Sequence, residues 1–534
     1  MRIQVFLLVT VFAVVLSCQN SSKKTLSPVS NRDTTISVTN SYNELFFDSS
    51  QLENFITREK IHDTMAMAMR NFYNQRNFQY AWFFSEGMAD YAATFLNQQN
   101  DYMNYSGDSS IHNIVLQTTL DSLSDTTFYN PPDSLRLKTE FLLTRQFFRY
   151  ASRAYAGRRD INAMDLGWYI PRKKIDAIGL LDSLLTNKGK NLSQYEPLNR
   201  QYNLLKDYLL KYYEAEKNRV WQGITANKKT YKPGDTSVTI SQIKKRLLLT
   251  GDLAINDTTV LFTDSLVAAI KRYQHRNGLA EDGVAGPSLF GQLNRPISDR
   301  IHQILINMER IRWVPAEPTT DYLLVNIPEF RLHVYENGKY KWNMKVVVGA
   351  VAHNTVIFNG SLKYIVFSPY WNVPPSIIKK EVVPGMRRNK NYLANHNMEW
   401  NDGAVRQKPG PGNSLGLVKF LFPNSYNIYL HDTPSKSLFN ESKRAFSHGC
   451  IRLAEPKKLA EYLLRNDPDW TERGITKAMN GGKEKYVTLK QTIPVFIGYF
   501  TAWVDRDGKL NFRDDIYGHD KEMAEHLFAT VKNK

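Results

Sequence analysis

Cysteine is nearly absent from this sequence, whose 534 residues include only Cys18 and Cys450. Two cysteines in a chain of this length exclude a disulfide-rich scaffold, so each needs its own explanation. Strong compositional bias is also missing, because 42% of the residues are hydrophobic and 23% are charged. These fractions exclude a wholly disordered or collagen-like chain. The sequence has no internal repeat, and its length predicts two to four domains.

Long hydrophobic runs are equally scarce. The apolar stretch from Val5 to Leu16 follows Arg2 and is shorter than the roughly 20 residues that span a bilayer. It fits the core of a signal peptide, predicted over residues 1–17. The sequence VLSC that ends at Cys18 resembles a bacterial lipobox, which implies that this cysteine is acylated. We therefore predict an exported, lipid-anchored protein of the periplasm, with plain secretion as the alternative.

The chain carries a formal net charge of +17. Such an excess indicates a polyanionic neighbour, and nucleic acid, an anionic membrane face and an acidic cell-surface polymer all fit. Export, predicted from the N-terminus, favours the membrane and the cell-surface polymer, and we predict no nucleic-acid partner.

The first half of the chain has a helical pattern. Residues 18–41 are polar and rich in Ser and Thr, which predicts a flexible tether. Over residues 42–230, apolar side chains recur at spacings of three and four, and this periodicity predicts a helical domain. A further helix is predicted at residues 298–315, which could pack back on this domain.

Residues 236–295 form a compact unit of short amphipathic segments. Gly251 and Gly278 are placed to end two helices, and Pro287 is placed in the first turn of a third. The run AIKRYQHRNGLAEDGVAGP resembles the three-helix peptidoglycan-binding domain of many wall enzymes in order and spacing. An unrelated helical linker domain is the alternative.

The periodicity changes to two in residues 320–500, which predicts a mostly-β domain. Asn337-Gly338 between two alternating runs predicts a hairpin turn. Residues 374–412 form a long, basic insertion, which is predicted to cap a cleft and is otherwise a solvated charge run. Residues 501–534 are predicted to form a hairpin and a helix. The fold class is therefore multidomain α+β: a helical N-terminal domain, a three-helix unit and a mostly-β domain.

The stretch SHGCIRL, residues 447–453, places the second cysteine among polar residues. In an exported protein an unpaired thiol is either buried and inert or kept for its reactivity. A nucleophilic thiol needs a basic neighbour, because its ordinary pKa near 8.5 leaves it mostly protonated at neutral pH. His448 and His431 are the candidates, and His431 would reach Cys450 from a neighbouring strand.

The run IYLHDTPSKSLFNESKRAFSHGCIRL, residues 428–453, resembles the catalytic signature of the L,D-transpeptidases. Together with WNVPP at residues 371–375, NSLGLVKF at residues 413–420 and the three-helix unit, it makes the chain similar to the large, scaffold-bearing members found in Gram-negative bacteria. The resemblance is weak over the N-terminal helices. It implies an acyltransferase of peptidoglycan biogenesis.

The resemblance implies a role for each residue of the signature. Cys450 would attack the carbonyl before the terminal D-alanine of a tetrapeptide stem and form a thioester. A side-chain amine of a second stem would then give a 3→3 cross-link. His431 would be the general base and acid. Because Asp432 points away from His431 if both lie on a strand, the residues themselves predict a backbone carbonyl as the partner that orients the imidazole. The N–H groups of Gly449 and Cys450 would bind the oxyanion. Arg452 would bind a stem carboxylate or fix the motif loop.

Four further residues are predicted to contact substrate. They are His448, Ser447, Tyr429 and Trp371. His448 could instead shape the turn, and core packing is an equal alternative for Tyr429.

Other functions remain open from the sequence. A zinc site from His431, His448 and Cys450 lacks a fourth ligand at any usual spacing, so no metal or other cofactor is predicted. An L,D-carboxypeptidase, or an enzyme that attaches a protein to the wall, would use the same thioester. A non-catalytic wall anchor with an idle thiol belongs to a different class. The predicted partners are peptidoglycan and, through Cys18, a membrane. The protein is predicted to be a monomer or part of a wall-synthesis complex.

Overall fold

A computed structural model of the protein describes residues 32, 34–35, 42–125, 132–191, 194–315 and 318–528. The predicted signal peptide, Cys18 and most of the predicted tether lie outside the described residues. Within these ranges, none of the helices combines the length and apolar character needed to cross a membrane. The described part of the chain divides into two compact units, and the first lies within residues 1–99, 110–150 and 176–192.

The first unit is mainly helical, as the periodicity predicts. Its elements, two of which extend into the second unit, are α1 (Ser49–Arg58), α2 (Asp63–Gln75), β1 (Phe83–Phe84), β2 (Gly87–Met88), α3 (Asp90–Ser106), α4 (Ile114–Asp125), α5 (Asp133–Ala156) and α6 (Ala177–Thr186). Helix α1 begins at a capping box, in which Asp48 and Gln51 satisfy backbone N–H groups reciprocally. Its apolar face is buried in the unit.

A buried carboxylate joins α5 to the chain before β1. Glu140 is fully buried, and its carboxylate accepts hydrogen bonds from the N–H groups of Ala81 (2.7 Å) and Trp82 (2.9 Å) and from the Tyr73 hydroxyl (2.9 Å). Burial raises the pKa of Glu140 to about 7, although these hydrogen bonds favour the ionised form. One side chain therefore satisfies two buried backbone donors.

Replacing Glu140 by alanine should destabilise the protein by about 3 kcal/mol, because it leaves two buried N–H groups without an acceptor. Denaturant unfolding followed by circular dichroism measures the change. Glu86→Ala is the control, since Glu86 is an exposed carboxylate of the same unit and its loss should cost under about 0.5 kcal/mol. Equal midpoints for the two variants would contradict the structural role of Glu140.

The second unit contains the remaining helices and most of the strands. Its helices are α7 (Arg200–Lys217), α8 (Val238–Leu249), α9 (Asp264–Arg276), α10 (Pro287–Leu293), α11 (Ile297–Trp313), α12 (Pro375–Ile377), α13 (Val383–Arg388), α14 (Tyr392–Asn395), α15 (Pro456–Leu464), α16 (Glu472–Met479) and α17 (His519–Leu527). Helices α8, α9 and α10 enclose a core of their own. Left-handed Gly251 and Gly278 follow α8 and α9, and Pro287 opens α10, as predicted.

Helix α11 packs along α7 and ties it to the second unit. The buried Arg312 of α11 donates to the Tyr202 hydroxyl of α7 (2.6 Å), to the Ala154 carbonyl (2.9 Å) and to Glu309 (2.6 Å). These bonds lie within one compact unit. Within the predicted helical domain, residues 42–230, the stretches 100–109, 151–175 and 194–230 group with the second unit rather than the first.

The strands of the second unit follow the predicted alternation. They are β3 (Tyr322–Asn326), β4 (Arg331–Glu336), β5 (Lys339–Gly349), β6 (Phe358–Phe367), β7 (Trp371–Asn372), β8 (Met398–Asn401), β9 (Ala404–Gln407), β10 (Val418–Leu421), β11 (Leu430–His431), β12 (Ala445–Ser447), β13 (Ile451–Leu453), β14 (Lys485–Gly498), β15 (Ala502–Val504) and β16 (Leu510–Phe512). The predicted turn at Asn337-Gly338 joins β4 to β5, and β15 pairs with β16 in the predicted C-terminal hairpin.

Within residues 318–528, nine strands form one sheet in the order β12-β5-β13-β11-β10-β6-β14-β3-β4. Strand β4, the last in this order, also pairs with β5, the second, so the two ends of the sheet are joined. One face of the sheet packs into the main core. The register partners Val487, Ile365, Phe420, Leu430 and Ile451 all belong to that core.

The predicted insertion, residues 374–412, forms a small structure of its own. Strands β7, β9 and β8 make a three-stranded sheet, and with α12 to α14 they enclose a core that includes Val373, Val382 and Val405. The five basic residues in its first half are all exposed: Lys379, Lys380, Arg387, Arg388 and Lys390. The insertion is therefore a folded element with its own core, which we call the cap, and its position over a cleft and its action as a lid stay predictions.

Candidate active site

The pairing of β11 with β13 positions the motif cysteine. The two strands run parallel, with Leu430 opposite Ile451 and His431 opposite Arg452. The Tyr429 carbonyl accepts the Ile451 N–H at 3.1 Å. This register puts Cys450, the residue before β13, opposite Tyr429.

Side-chain alternation then brings the predicted catalytic pair to one face. Leu430 and Ile451 face the core, so their neighbours in sequence face outward. His431 and Cys450 therefore share the outer face as diagonal neighbours on adjacent strands, with Cα atoms about 8 Å apart from strand spacing and rise. Their side chains therefore leave the sheet on the same side.

The same register continues across the next strands. On the outer face, Leu421 of β10 lies beside Tyr429 and pairs with Tyr364 of β6, and Lys419 of β10 pairs with His431. We call the set Tyr364, Leu421, Tyr429 and Cys450 the thiol row, and the set Lys419, His431 and Arg452 the imidazole row. The two rows are adjacent along the strands.

His431 is held as a neutral imidazole. Only 4% of its surface is exposed, and Nδ1 lies 2.5 Å from the carbonyl oxygen of Asp432. A carbonyl accepts only from a protonated nitrogen, so Nδ1 carries the hydrogen and Nε2 is the basic nitrogen. Burial, and next the nearby charge of Arg452, lower the pKa of His431 to about 4. The predicted carbonyl partner is therefore present, and the ring is a free base at neutral pH.

Cys450 is a half-buried free thiol. Its Sγ lies 3.5 Å from the carbonyl oxygen of Asn427, a residue in the left-handed conformation (φ 55°), and the Tyr429 hydroxyl also contacts it. Burial raises the pKa of the thiol, although hydrogen bonding with Tyr429 and the charge of Arg452 act in the opposite direction. The resting site therefore holds a protonated thiol and a neutral imidazole. The thiol must transfer its proton before it can react as a nucleophile.

The loop before Cys450 is shaped by Ser447 and Gly449. Ser447 is buried; its hydroxyl donates to the Cys450 carbonyl (2.5 Å) and accepts the Gly449 N–H (3.1 Å). Gly449 has φ 114°, which a side chain would disfavour. Ser447 was predicted to contact substrate, but its hydroxyl is engaged within the loop. The Gly449 N–H, a predicted oxyanion donor, is engaged as well, whereas the Cys450 N–H has no acceptor among the described residues.

Two residues remote from the motif brace this loop. The hydroxyl of Thr355 donates to the Gly449 carbonyl (2.8 Å) and accepts the Gly349 N–H (2.8 Å). The Tyr517 hydroxyl donates to the Gly349 carbonyl (2.6 Å) and accepts the Thr355 N–H (3.3 Å). The C-terminal region is therefore hydrogen-bonded, through Thr355, to the residue next to the thiol.

Three segments match known protein families. Residues 320–477 match the "L,D-transpeptidase catalytic domain", and they contain the thiol, the imidazole and the cap. Residues 320–477 belong to the L,D-transpeptidase family. Residues 67–209 match the "Scaffold domain", and residues 236–293 match the "Putative peptidoglycan binding domain". These matches confirm the predicted family and the predicted fold class.

Individual relatives cover parts of the chain. A Haemophilus influenzae protein named "Putative L,D-transpeptidase" is 32% identical over 257 residues, which are 44% of this chain and 52% of the relative. The alignment thus spans about half the length of that relative. An L,D-transpeptidase structure from Stackebrandtia nassauensis is 15% identical, covering 52% of this chain and 98% of its own, with a TM-score of 0.22. One from Xylanimonas cellulosilytica is 12% identical, covering 51% and 100%, with a TM-score of 0.18.

The guanidinium of Arg452 in the transpeptidase domain has no hydrogen bond or ion pair to another described residue. Its Nε is buried without a hydrogen-bond partner. Two roles were predicted for Arg452. No contact supports the role of fixing the motif loop, whereas an unpaired guanidinium is compatible with binding a substrate carboxylate.

The other predicted contacts lie in different places. Tyr429 is half-buried and touches the thiol, so it lines the cleft as well as packing there. The His448 ring is exposed, 5.1 Å between centroids from that of His353. Trp371 pairs with Gln407 in the cap sheet and packs against the cap core. Substrate contact by these three residues stays a prediction.

Sequence reasoning missed several residues of this site. Lys419 is part of the quoted run NSLGLVKF, and alternation along β10 could have placed it beside His431. Its Nζ lies 3.7 Å from Glu484 and 3.4 Å from the Tyr370 carbonyl. Thr355 and Tyr517 carried no motif signal. In the part of the chain that the structure describes, no three His, Cys, Asp or Glu side chains are arranged to hold a metal ion.

Replacing Thr355 by valine should lower turnover of the transpeptidase domain about tenfold, because the Gly449 carbonyl loses its donor and the loop its brace. The measurement is kcat/KM on a disaccharide-tetrapeptide. Thr355→Ser is the matched control, since it restores the hydroxyl and should stay within about twofold of the parent protein. If serine fails as valine does, the packing of the threonine methyl group matters instead of the hydrogen bond.

Proposed function

We propose that this protein is an L,D-transpeptidase of peptidoglycan that forms 3→3 cross-links through a thioester on Cys450. One observation carries the proposal. Within the segment that matches the family, a neutral imidazole of fixed tautomer shares the outer face of the sheet with a free thiol on the adjacent strand. A base and a nucleophile so placed are what acyl transfer requires.

The first half-reaction forms the thioester. Nε2 of His431 accepts the thiol proton while Sγ of Cys450 bonds to the carbonyl carbon that precedes the terminal D-alanine. The tetrahedral oxyanion is bound by the Cys450 N–H, the donor without an intramolecular acceptor, and the Gly449 N–H could join it if Ser447 rotates. When the C–N bond breaks, the leaving amine takes the proton from His431, and D-alanine departs.

The second half-reaction restores the enzyme. The side-chain amine of a second stem attacks the thioester carbonyl and gives its proton to Nε2 of His431. The C–S bond then breaks, and the thiolate recovers that proton as the new amide forms. The unpaired guanidinium of Arg452 supplies a positive partner for a stem carboxylate during both steps.

The other regions support a wall enzyme. The segment that matches a peptidoglycan-binding domain would hold the chain on its polymeric substrate, and the net charge of +17 suits an anionic wall. We propose that the protein acts in the periplasm and that Cys18 anchors it to a membrane as a lipoprotein. Peptidoglycan is its partner in this proposal, either for a monomer or for a member of a wall-synthesis complex.

The products of one incubation test this function. Purified protein is mixed with defined disaccharide-tetrapeptides, and the products are identified by mass spectrometry. Dimers with a 3→3 linkage and released D-alanine are expected. If tripeptides are the sole products, the protein is an L,D-carboxypeptidase instead, in which water accepts the acyl group. Unchanged substrate would contradict the enzymatic function and leave the hypothesis of a non-catalytic wall anchor. Attachment of a protein to the wall would require a protein amine as the acceptor.

A further inference from the structure

A groove of about 350 Å³ is lined in part by two residues that contact the thiol. The residues that line it include Tyr364, Leu421, Phe422, Asn427, Tyr429 and Tyr486, and we call it the tyrosine groove. Asn427 and Tyr429 are also the residues that contact the thiol of Cys450. The tyrosine groove and the thiol of Cys450 therefore share two neighbouring residues.

The lining of the tyrosine groove is aromatic and uncharged. Three tyrosines contribute to it, none of its lining residues carries a charge, and Tyr486 is 58% exposed. Carboxylates have no positive partner here, unlike at Arg452 in the imidazole row. Tyrosine presents a flat apolar face and a polar tip, which suits a neutral amphipathic ring such as a sugar, with C–H groups on its face and hydroxyls at its edge.

The dimensions of the substrate place a sugar over this groove. Tyr364 lies three strands from Cys450 in the thiol row, about 14 Å away at a spacing of roughly 4.8 Å per strand. In a tetrapeptide stem the attacked carbonyl belongs to the third residue. Three extended residues span at most about 11 Å, and the stem is joined at its first residue to the glycan. A stem that runs from Cys450 along the thiol row would therefore place its sugar between β10 and β6, within reach of Tyr364 and Tyr486.

We infer that the tyrosine groove binds the sugar that carries the acyl-donor stem. This inference rests on the proposed function and adds a saccharide subsite to it. The stem lies along the thiol row, with its glycan end on Tyr364 and Tyr486 and its reactive end at Cys450. In this arrangement the enzyme recognises the glycan as well as the peptide of its acyl-donor substrate.

Two substrates separate this subsite from the peptide site. Tyr486→Ala should lower kcat/KM about tenfold on a disaccharide-tetrapeptide, through loss of one aromatic contact, and by less than twofold on the same tetrapeptide without sugar. Tyr195→Ala removes an exposed tyrosine elsewhere and should change neither rate. Equal loss on both substrates, or no loss on either, would overturn the saccharide subsite.

Binding tests the subsite without turnover. Full-length Cys450→Ala protein is titrated calorimetrically with the disaccharide-tetrapeptide and with the free tetrapeptide. Tyr486→Ala added to that variant should weaken only the first affinity, by about tenfold. If the parent enzyme turns over neither substrate, the proposed function fails, and this comparison still decides whether the groove holds a sugar. Equal affinities for both ligands before and after the substitution would overturn the inference.

Discussion

Substitution of Cys450 by alanine should lower transpeptidation by on the order of 10⁴-fold or more, because no other group can take over the covalent step. Intact mass spectrometry of the parent protein, quenched during turnover, should show an added tripeptide stem. The variant should show none. The same samples, assayed for released D-alanine, give the rate.

The serine variant sharpens the test of the nucleophile. Cys450→Ser nearly keeps the size of the side chain and supplies a hydroxyl at the same position, but a hydroxyl ionises far less readily than a thiol. We expect nearly the same loss as for alanine, with unchanged thermal unfolding in both variants. Retention of more than about 1% of the rate by the alanine variant would show that the acyl group is carried elsewhere or that water is activated directly.

Local signals predict much of this fold. Asn337-Gly338 specifies its hairpin because both residues can adopt the left-handed conformation, with φ of 50° and 71° in the structure. Pro287 and the glycines after α8 and α9 fix the three-helix unit in the same way. The division of the helical region could not be predicted, because it depends on the buried bonds from Arg312 to residues 110 and 158 positions earlier in the chain.

The candidate site also contains some residues that local sequence signals predict and others that they do not. The motif predicts Cys450 and His431, and simple alternation predicts that the histidine needs a carbonyl rather than the Asp432 side chain as partner. The Asn427 carbonyl at the thiol depends on a left-handed backbone conformation that no motif specifies. The brace joins Thr355 to Tyr517, 162 residues further on, and only the folded chain brings them together. Long-range packing, not local pattern, places these groups.

The pH dependence of turnover should show an unusually acidic base. Neutral His431 is the reactive form, and it predominates above its pKa of about 4. As pH rises, kcat/KM should therefore increase through about pH 4 and then level off, instead of increasing near the ordinary histidine value of 6.5. His431→Gln should lower kcat/KM by about 10²- to 10⁴-fold and abolish its increase near pH 4, the acidic limb of the profile. An acidic limb near pH 6.5 in the parent enzyme would contradict the buried, cation-flanked imidazole.

The charges around His431 give a test with opposite signs. Arg452 and Lys419 both lower its pKa, the side chain of Asp432 raises it, and Glu484 lies 3.7 Å from the charge of Lys419. Lys419→Met removes a cation, so the acidic limb should move to higher pH. Glu484→Gln leaves Lys419 uncompensated, so the limb should move to lower pH. If the Lys419–Glu484 pair only stabilised the fold, both variants would change activity in the same direction, because each breaks the same contact. Opposite displacements would instead show that the imidazole row acts as an electrostatic unit that keeps its histidine deprotonated.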